Sequence, residues 1–252
     1  MSFDVAADAY DRFMGRWSRQ LSSQLADLAG VAPGMRVLDV GCGPGALTDE
    51  LVDRLGAEAV TAVDPAEGFV AAARARFPDV PVTRAAAEAL PFAADAFDAA
   101  LAQLVVHFMA DPVAGLREMG RVTRPDGVVV ACVWDHGGGQ GPLTPFWQAV
   151  KARDPTADDE SGLAGARKGH LAALFEDAGL RDIDATVLPV SREYASFEDW
   201  WEPYTLGVGP AGAYATALEP AEREDLRERC RALLPHGPFT LTARAWAARG
   251  RP

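Results

Sequence analysis

The sequence predicts an α/β protein built around a mainly parallel sheet. Segments with helical periodicity alternate with short apolar segments along most of the chain, which is typical of this class. One of the apolar segments also runs directly into a glycine-rich turn that is followed by a helix. The chain has 252 residues, of which 49% are hydrophobic, and this is enough for one large domain. We therefore expect residues 1–252 to form a single domain.

Helices and strands alternate through the first half of the chain. Leucines at helical spacing predict a helix over 18–30 that ends at Gly30, and Asp111 can cap another helix with Pro112 at its first position. The predicted helices lie at 18–30, 46–55, 66–77 and 111–122. The predicted strands lie at 35–40, 59–63, 80–83, 97–104 and 128–134, the last one very hydrophobic.

The second half changes character after a glycine-rich connection at 136–142. Helices are predicted at 144–152 and 170–178, and late strands at 183–194 and 239–247. Between these strands, residues 195–236 look helical and are expected to form a lid over the carboxyl ends of the sheet. The lid carries four aromatic residues that suggest an aromatic substrate pocket, although packing within the lid would explain any single one: Trp200, Trp201, Tyr204 and Tyr214.

Composition and charge argue against nucleic-acid binding, disulfide bonding, a cysteine metal site, secretion and membrane spanning. A net charge of −12 repels phosphate backbones, so nucleic acid is not expected as a partner. Three cysteines without short spacing indicate neither a disulfide framework nor a metal site, and they fit a reducing, cytoplasmic location. The first twenty residues lack the apolar core of a secretory signal, and the run at 127–134 is too short to span a bilayer.

The most informative segment is the sequence VLDVGCGPG at 37–45. Glycines allow a sharp turn and bring backbone N–H groups close to a ligand. Asp39 lies at the end of the strand, where its carboxylate can attract an ammonium group or order the loop. Asp64 ends the next strand, a position from which a carboxylate accepts hydrogen bonds from ribose hydroxyls. A tight turn without a ligand, or a relaxed dinucleotide fingerprint, would also account for the glycines alone.

This segment resembles the signature of class I S-adenosylmethionine-dependent methyltransferases, in their small-molecule branch of type 11. Further similar segments follow in order over residues 35–134: VDP at 63–65, EALPF at 88–92, FD at 97–98 and RVTRPDG at 121–127. The resemblance implies a Rossmann-like sheet of seven strands, parallel except for one antiparallel C-terminal strand at 239–247. It also implies that residues 1–34 cover the cofactor and that residues 35–134 form the cofactor-binding half.

The resemblance implies S-adenosylmethionine as cofactor and S-adenosylhomocysteine as product. It places the turn against the methionine and ribose, Asp64 on the ribose hydroxyls, and residues 86–88 beside the adenine. The family often has aspartate where this chain has Ala86, so the adenine contacts must come from other groups. The implied cofactor-binding residues are Tyr10, Arg16, Asp39, Gly41, Cys42, Gly43, Gly45, Asp64, Pro65, Ala86, Ala87, Glu88 and Gln103.

The expected reaction is methyl transfer by in-line displacement onto a small acceptor whose nucleophile is oxygen, nitrogen or carbon; an aromatic acceptor is one option. A sulfonium is already a strong electrophile, so alignment and exclusion of water suffice and no metal is needed. A base would help a hydroxyl acceptor, and His107 is the first candidate, with Asp135 and His136 as alternatives. Ordinary loop or capping roles remain open for all three side chains.

Three other functions remain open at this point. A nicotinamide-dependent oxidoreductase would use the same glycine turn, but it leaves Asp39 and the loop at 90–92 without a role. A partner-binding protein of the same fold would have no need for the glycine turn or Asp64. A cofactor-binding protein of this fold could also catalyse a reaction other than methyl transfer.

Overall fold

A seven-stranded sheet runs through the molecule in the computed structural model, which describes residues 7–252. The strands are β1 (Val37–Val40), β2 (Val60–Asp64), β3 (Val82–Arg84), β4 (Phe97–Gln103), β5 (Thr123–Trp134), β6 (Arg181–Tyr194) and β7 (Phe239–Arg251). Their spatial order is β3-β2-β1-β4-β5-β7-β6. Strands β1 to β5 pair in parallel, whereas β7 is antiparallel to both β5 and β6. The predicted seven-stranded sheet with an antiparallel C-terminal strand is therefore confirmed.

Helices connect the strands, mostly within a few residues of the predicted boundaries. They are α1 (Ala7–Tyr10), α2 (Arg16–Ala29), α3 (Ala46–Leu55), α4 (Glu67–Arg76), α5 (Pro112–Val122), α6 (Thr144–Arg153), α7 (His170–Asp177), α8 (Phe197–Trp201), α9 (Gly209–Ala217) and α10 (Pro220–Leu233). Gly30 ends α2 in the left-handed conformation, and the Asp111 carboxylate accepts a hydrogen bond from the Ala114 N–H at 2.9 Å. A π-helical turn joins α1 to α2. Residues 1–6 of the predicted N-terminal cover lie outside the described residues.

The order of the strands creates a crevice beside β1. The chain moves outward from β1 to β2 and β3 and then returns to the other side of β1 for β4, so the direction of winding reverses there. In open parallel sheets, ligands bind at the carboxyl ends of the strands that flank such a reversal. Asp39 of β1 lies in register with Ala62 of β2 and Leu101 of β4. Asp64 and Gln103 end β2 and β4 two residues beyond these partners. Asp39, Asp64 and Gln103 therefore lie at the same edge of the sheet.

Both faces of the sheet are covered, because alternate strand residues point to opposite apolar cores. Val37 joins the core that includes α2, α3 and the insertion, whereas Leu38 joins the core formed with α5 and α7. All four residues of β1 are buried. This two-sided burial explains why the central strands read as continuous apolar runs. It also fixes β1 rigidly at the point where the glycine turn begins.

The predicted insertion between β6 and β7 consists of α8, a 3₁₀ turn, α9 and α10. Its aromatic residues pack into the core: the Tyr204 ring stacks on Phe146 of α6 at 4.6 Å and meets Phe13 edge-on at 5.2 Å. Trp200 and Trp201 are also buried, and Tyr214 packs against the edge of Phe146. These four rings find their partners inside the protein, so the structure assigns them to packing instead of a substrate pocket. The expectation drawn from their density in the sequence is corrected accordingly.

Candidate functional site

The turn after β1 adopts a conformation that depends on glycine. Gly41, Gly43 and Gly45 have φ angles of 73°, 55° and 91°. The N–H groups of Gly41 and Cys42 both donate to the Val63 carbonyl, at 2.8 and 2.9 Å, and thereby tie the turn to β2. A Cβ atom at Gly41 would lie 2.5 Å from the Val105 side chain, whereas at Gly43 it would meet nothing within 4 Å. The chain therefore approaches its neighbour closely at Gly41 and faces open space at Gly43.

These surroundings predict unequal effects of two alanine substitutions. Gly41→Ala combines left-handed strain with a steric clash and is expected to cost about 3 kcal/mol or more of unfolding free energy. Gly43→Ala has only the strain and is expected to cost about 1–2 kcal/mol. Urea unfolding of both variants measures the difference. Equal losses would contradict the packing described for Gly41.

A cleft of about 100 Å³ opens beside this turn. It collects eight of the thirteen residues predicted to bind a cofactor: Tyr10, Asp39, Gly41, Cys42, Gly43, Asp64, Pro65 and Gln103. Pro44 belongs to the predicted turn, whereas the sequence did not identify the remaining lining residues, which are Ser18, Ala46, Leu47, Ala66, Phe69, Leu104, Val105 and Phe108. Most of these are apolar or small and carry no chemical signature. They line the cleft because the fold brings their segments together there.

Five predicted residues lie outside the lining of the cleft. The Arg16 guanidinium is 3.9 Å from Asp199, and its side chain is 58% exposed. Gly45 faces the Phe77 ring. Ala86 is exposed and Ala87 is buried, and both lie at the 3₁₀ turn that follows β3. The Glu88 carboxylate accepts from the Asp111 N–H at 3.2 Å. The structure therefore does not bring Arg16 or residues 86–88 to the cleft.

The Asp64 carboxylate organises the rim of the cleft. One oxygen accepts from the Gly43 N–H at 2.9 Å, and the other accepts from the Ala66 N–H at 2.8 Å. The side chain is buried, and this burial raises its pKa despite the two hydrogen bonds. A carboxylate oxygen has room for a second hydrogen bond. Asp64 can therefore hold the turn and still accept hydrogen bonds from a ligand.

Two residues that line the cleft, Asp39 and Gln103, each have an oxygen atom without a hydrogen-bond partner. Asp39 accepts from the Thr48 hydroxyl at 2.6 Å through one oxygen, but its other oxygen is buried and unpartnered. The Gln103 amide donates to the Ser18 carbonyl at 3.1 Å, and its own oxygen is likewise buried without a partner. Buried acceptors without a donor are costly. Burial, together with the nearby Asp64, raises the pKa of Asp39 to about 7, although the hydrogen bond from Thr48 opposes the change. These two acceptors are suited to a cationic donor.

Tyr10 separates the cleft from a second, smaller cavity, the inner cavity. Its ring packs edge-on against Phe69 at 5.4 Å, and burial together with Asp64 raises its pKa to about 12. The inner cavity has a volume of about 30 Å³ and shares Tyr10, Leu104 and Phe108 with the cleft. Its walls are mainly apolar and include Val208, Gly209 and Pro210 of the insertion. The insertion therefore forms part of the wall of this cavity through the start of α9, whereas its four aromatic residues do not line the cavity.

Besides Tyr10, the inner cavity contains the predicted base and two further titratable side chains. His107 lies in a 3₁₀ turn after β4, is buried, and has no hydrogen-bond partner at its Nδ1 atom. Burial, with His136 nearby, lowers the pKa of His107 to about 3. His136 follows β5, and its ring lies 6.3 Å from that of His107. Glu160 completes the group. Nothing in the sequence distinguished Glu160 from the exposed acidic loop at 154–160 in which it occurs.

Residues 7–252 contain neither a candidate metal cluster nor a membrane-spanning helix. In this range, no cluster of three or more His, Cys, Asp or Glu side chains has the arrangement of a metal site. No helix here combines the length and apolar character needed to cross a bilayer. Cys42, Cys132 and Cys230 are buried free thiols.

Comparison with known proteins identifies the family. A family model described as a methyltransferase domain matches residues 38–131. The demethylmenaquinone methyltransferase of Mycobacterium sp. strain KMS is 43% identical over 122 residues, which are 48% of this chain and 48% of that protein. The chain therefore aligns with about half the length of such relatives. The demethylmenaquinone methyltransferase of Beutenbergia cavernae is 32% identical over 194 residues, covering 72% of this chain and 79% of the relative.

A solved structure agrees with the fold. Phosphoethanolamine N-methyltransferase 2 of Haemonchus contortus, in complex with phosphomonomethylethanolamine and S-adenosylhomocysteine, superposes with a TM-score of 0.61. The match covers 98% of this chain and 57% of that chain, at 16% identity, and so supports the architecture alone. Together with the matched domain and the relative from Beutenbergia cavernae, the fold leads to one conclusion. This chain belongs to the class I S-adenosylmethionine-dependent methyltransferase family.

Proposed function

We propose that this chain transfers a methyl group from S-adenosylmethionine to a small acceptor whose reacting group enters the inner cavity. The observation that carries the proposal is that two residues lining the cleft, Asp39 and Gln103, each have a buried oxygen without a hydrogen-bond partner. Each oxygen could accept a hydrogen bond from an ammonium group, and the methionine part of the cofactor has one. These acceptors in the cleft therefore fit the cofactor.

The cleft residues divide the binding task among them. Asp64 is proposed to accept hydrogen bonds from the ribose hydroxyls, as it lies at the end of β2 on the rim of the cleft. Gly41, Cys42 and Gly43 would allow close backbone approach. Residues 86–88, which do not line the cleft, follow β3, the neighbour of β2 in the sheet. From there they would contact only the outer edge of an adenine. We assign Arg16 no role in binding the cofactor, because its guanidinium faces Asp199.

The bound cofactor supplies a methyl group on a positively charged sulfur, and the protein has to align the acceptor and exclude water. Tyr10, Leu104 and Phe108 form the boundary between the cleft and the inner cavity. An acceptor in the inner cavity would therefore approach the cofactor across this boundary. His107 faces the cavity and is proposed to hydrogen-bond the acceptor there.

We propose that the acceptor has an aromatic ring. The inner cavity is lined by Phe13, Phe108 and Trp134, and such walls favour a flat apolar group. The names of the relatives, demethylmenaquinone methyltransferases, favour the same class of acceptor. The net charge of −12 disfavours a nucleic acid.

Two measurements test this function. Calorimetry should show that the protein binds S-adenosylhomocysteine and does not bind NADH. Incubation with S-adenosylmethionine and a set of phenols and quinols should yield a product heavier than its acceptor by one methyl group. Binding without any gain of mass would instead favour a different reaction of the same cofactor. No binding at all would contradict the proposal.

A further inference from the structure

The inner cavity contains a pair of side chains that the family resemblance does not explain. His136 and Glu160 approach each other with 3.9 Å between the imidazole Nε2 and the carboxylate Oε1. Each side chain is only 5% exposed. The other Glu160 oxygen accepts from the Trp147 indole N–H at 2.7 Å, which fixes the orientation of the carboxylate. A buried carboxylate is thus aimed at a buried imidazole.

Among the described residues, no Arg or Lys side chain forms an ion pair with His136 or Glu160. Among the ion pairs of the described residues, Glu160 occurs only opposite His136. The two other carboxylates that act on His136 are neutralised elsewhere: Lys151 pairs with Asp159 at 2.7 Å, and Arg244 pairs with Asp135 at 2.8 Å. The remaining titratable groups that line the inner cavity are His107 and Tyr10. Of these three carboxylates, Glu160 is therefore the one without an Arg or Lys partner among the described residues.

Burial determines the protonation states of the pair. Burial lowers the pKa of His136 to about 4, although Asp159 and Asp135 oppose the change. Burial raises the pKa of Glu160 to about 7. At neutral pH the resting imidazole is therefore uncharged, and it gains a proton only when a new negative charge nearby raises its pKa. An imidazolium beside an ionised Glu160 forms a pair, which costs less in the interior than a lone charge does.

The pair also forms a wall between two spaces. His136 and Glu160 line the inner cavity, and both line a surface cleft of about 410 Å³ on the other side, together with Thr144, Lys151 and Asp159. A proton taken up from the inner cavity can therefore leave to solvent without crossing the cofactor cleft. His107 lines the inner cavity but not the surface cleft.

From this geometry we propose that His136 accepts the proton of an aromatic hydroxyl group bound in the inner cavity, with Glu160 as its positioning residue. The inference rests on the proposed function and narrows its substrate class to phenols or quinols. The O–H bond breaks, its electron pair stays on oxygen, and the proton forms an N–H bond at His136. The resulting phenolate is the stronger nucleophile. The cavity holds only about 30 Å³, so its walls must move apart to admit a ring.

The test uses nuclear magnetic resonance of the histidine ring nitrogens with 4-nitrophenol as the probe. The protein is saturated with S-adenosylhomocysteine, and the His136 signal is assigned by its loss in His136→Gln. Addition of the probe is expected to convert His136 to imidazolium at neutral pH. In Glu160→Gln, the pKa of His136 in the probe complex should be lower by about 1–3, because the opposite charge nearby is gone. Glutamine can still accept from Trp147, so the loop is expected to keep its geometry.

Controls separate the proposal from a structural role and from failure of the proposed function. Glu176→Gln removes the same charge at an exposed position of α7 and should leave the His136 signal unchanged. Calorimetry with S-adenosylhomocysteine on the same samples shows whether the cofactor cleft is intact. A probe that fails to bind, a His136 that stays neutral, or equal protonation in wild type and Glu160→Gln would overturn the proposal. If Glu160→Gln does not fold, the wild-type titration alone decides, since a neutral His136 in the probe complex is sufficient to reject it.

Discussion

Asp39→Asn is expected to stabilise the ligand-free protein at pH 8 and to weaken binding of S-adenosylhomocysteine by about 10–100-fold. The side chain is 1% exposed, and burial raises its pKa to about 7 from an ordinary value of 3.8. The ionised form is therefore costly in the folded state at pH 8. The asparagine removes that cost but leaves an unpartnered N–H, so we expect a net gain of about 1–3 kcal/mol. The expected loss of affinity corresponds to the contribution of one hydrogen bond between charged groups.

The pH dependence follows from the direction of the shift. Because the folded protein holds the Asp39 proton more tightly than the unfolded chain, the unfavourable contribution grows from pH 4 to pH 7 and is then constant. The stability difference between Asp39→Asn and wild type should therefore be largest above pH 7 and vanish near pH 4. Urea unfolding at several pH values measures it. Asp53→Asn, an exposed substitution on α3, is the matched control. A variant no more stable than wild type at pH 8 would contradict the account of Asp39.

Asp64→Ala is expected to weaken binding of S-adenosylhomocysteine by about 1–3 kcal/mol, the scale for hydrogen bonds to a charged acceptor. The substitution also releases the N–H groups of Gly43 and Ala66, which the carboxylate now holds at 2.9 and 2.8 Å. Some loss of stability should therefore accompany the loss of affinity. Calorimetry measures the first effect, and urea unfolding measures the second.

A second ligand separates the roles of the two acids. Methylthioadenosine has the adenosyl group but no amino-acid part. Asp64→Ala should weaken both ligands, whereas Asp39→Asn should weaken only S-adenosylhomocysteine. If both variants lose affinity for methylthioadenosine equally, the two ends of the cleft have not been assigned correctly. Unchanged affinity of Asp64→Ala for either ligand would remove Asp64 from the ribose site.

The sequence predicted the sheet well because local signals and tertiary structure agree there. The predicted helix at 46–55 coincides with α3, and Asp111 caps α5 as expected. The predicted strand at 128–134 was too short, since β5 begins at Thr123. Residues 125–127 include proline and glycine, which usually interrupt strands, and only the pairing of β5 in the sheet overrides them.

The candidate site was predictable where a motif defines it and unpredictable where distant segments meet. Asp39, Asp64 and the glycines form a local pattern whose geometry follows from a strand and a turn. Arg16 was placed by resemblance, and the structure shows its guanidinium beside Asp199 of the insertion. Glu160 approaches His136 only because the loop before α7 folds back toward the carboxyl end of β5. No spacing in the sequence indicates that contact.

The aromatic residues of the insertion illustrate the same limit. Their density suggested a ligand pocket, but a lid also needs its own core, and Phe146 of α6 supplies a stacking partner for Tyr204. The sequence does not show whether an aromatic ring packs against other side chains or lines a pocket. The apolar walls of the inner cavity come instead from scattered positions such as Phe13 and Trp134.

A crystal structure of the complex with S-adenosylhomocysteine would show directly how the cleft binds its ligand. We expect ribose oxygens within hydrogen-bonding distance of the Asp64 carboxylate, and an amino group that contacts the oxygens of Asp39 and Gln103. The sulfur should face the boundary formed by Tyr10 and Phe108. A ligand bound elsewhere, or bound with its amino group remote from Asp39, would contradict this expectation.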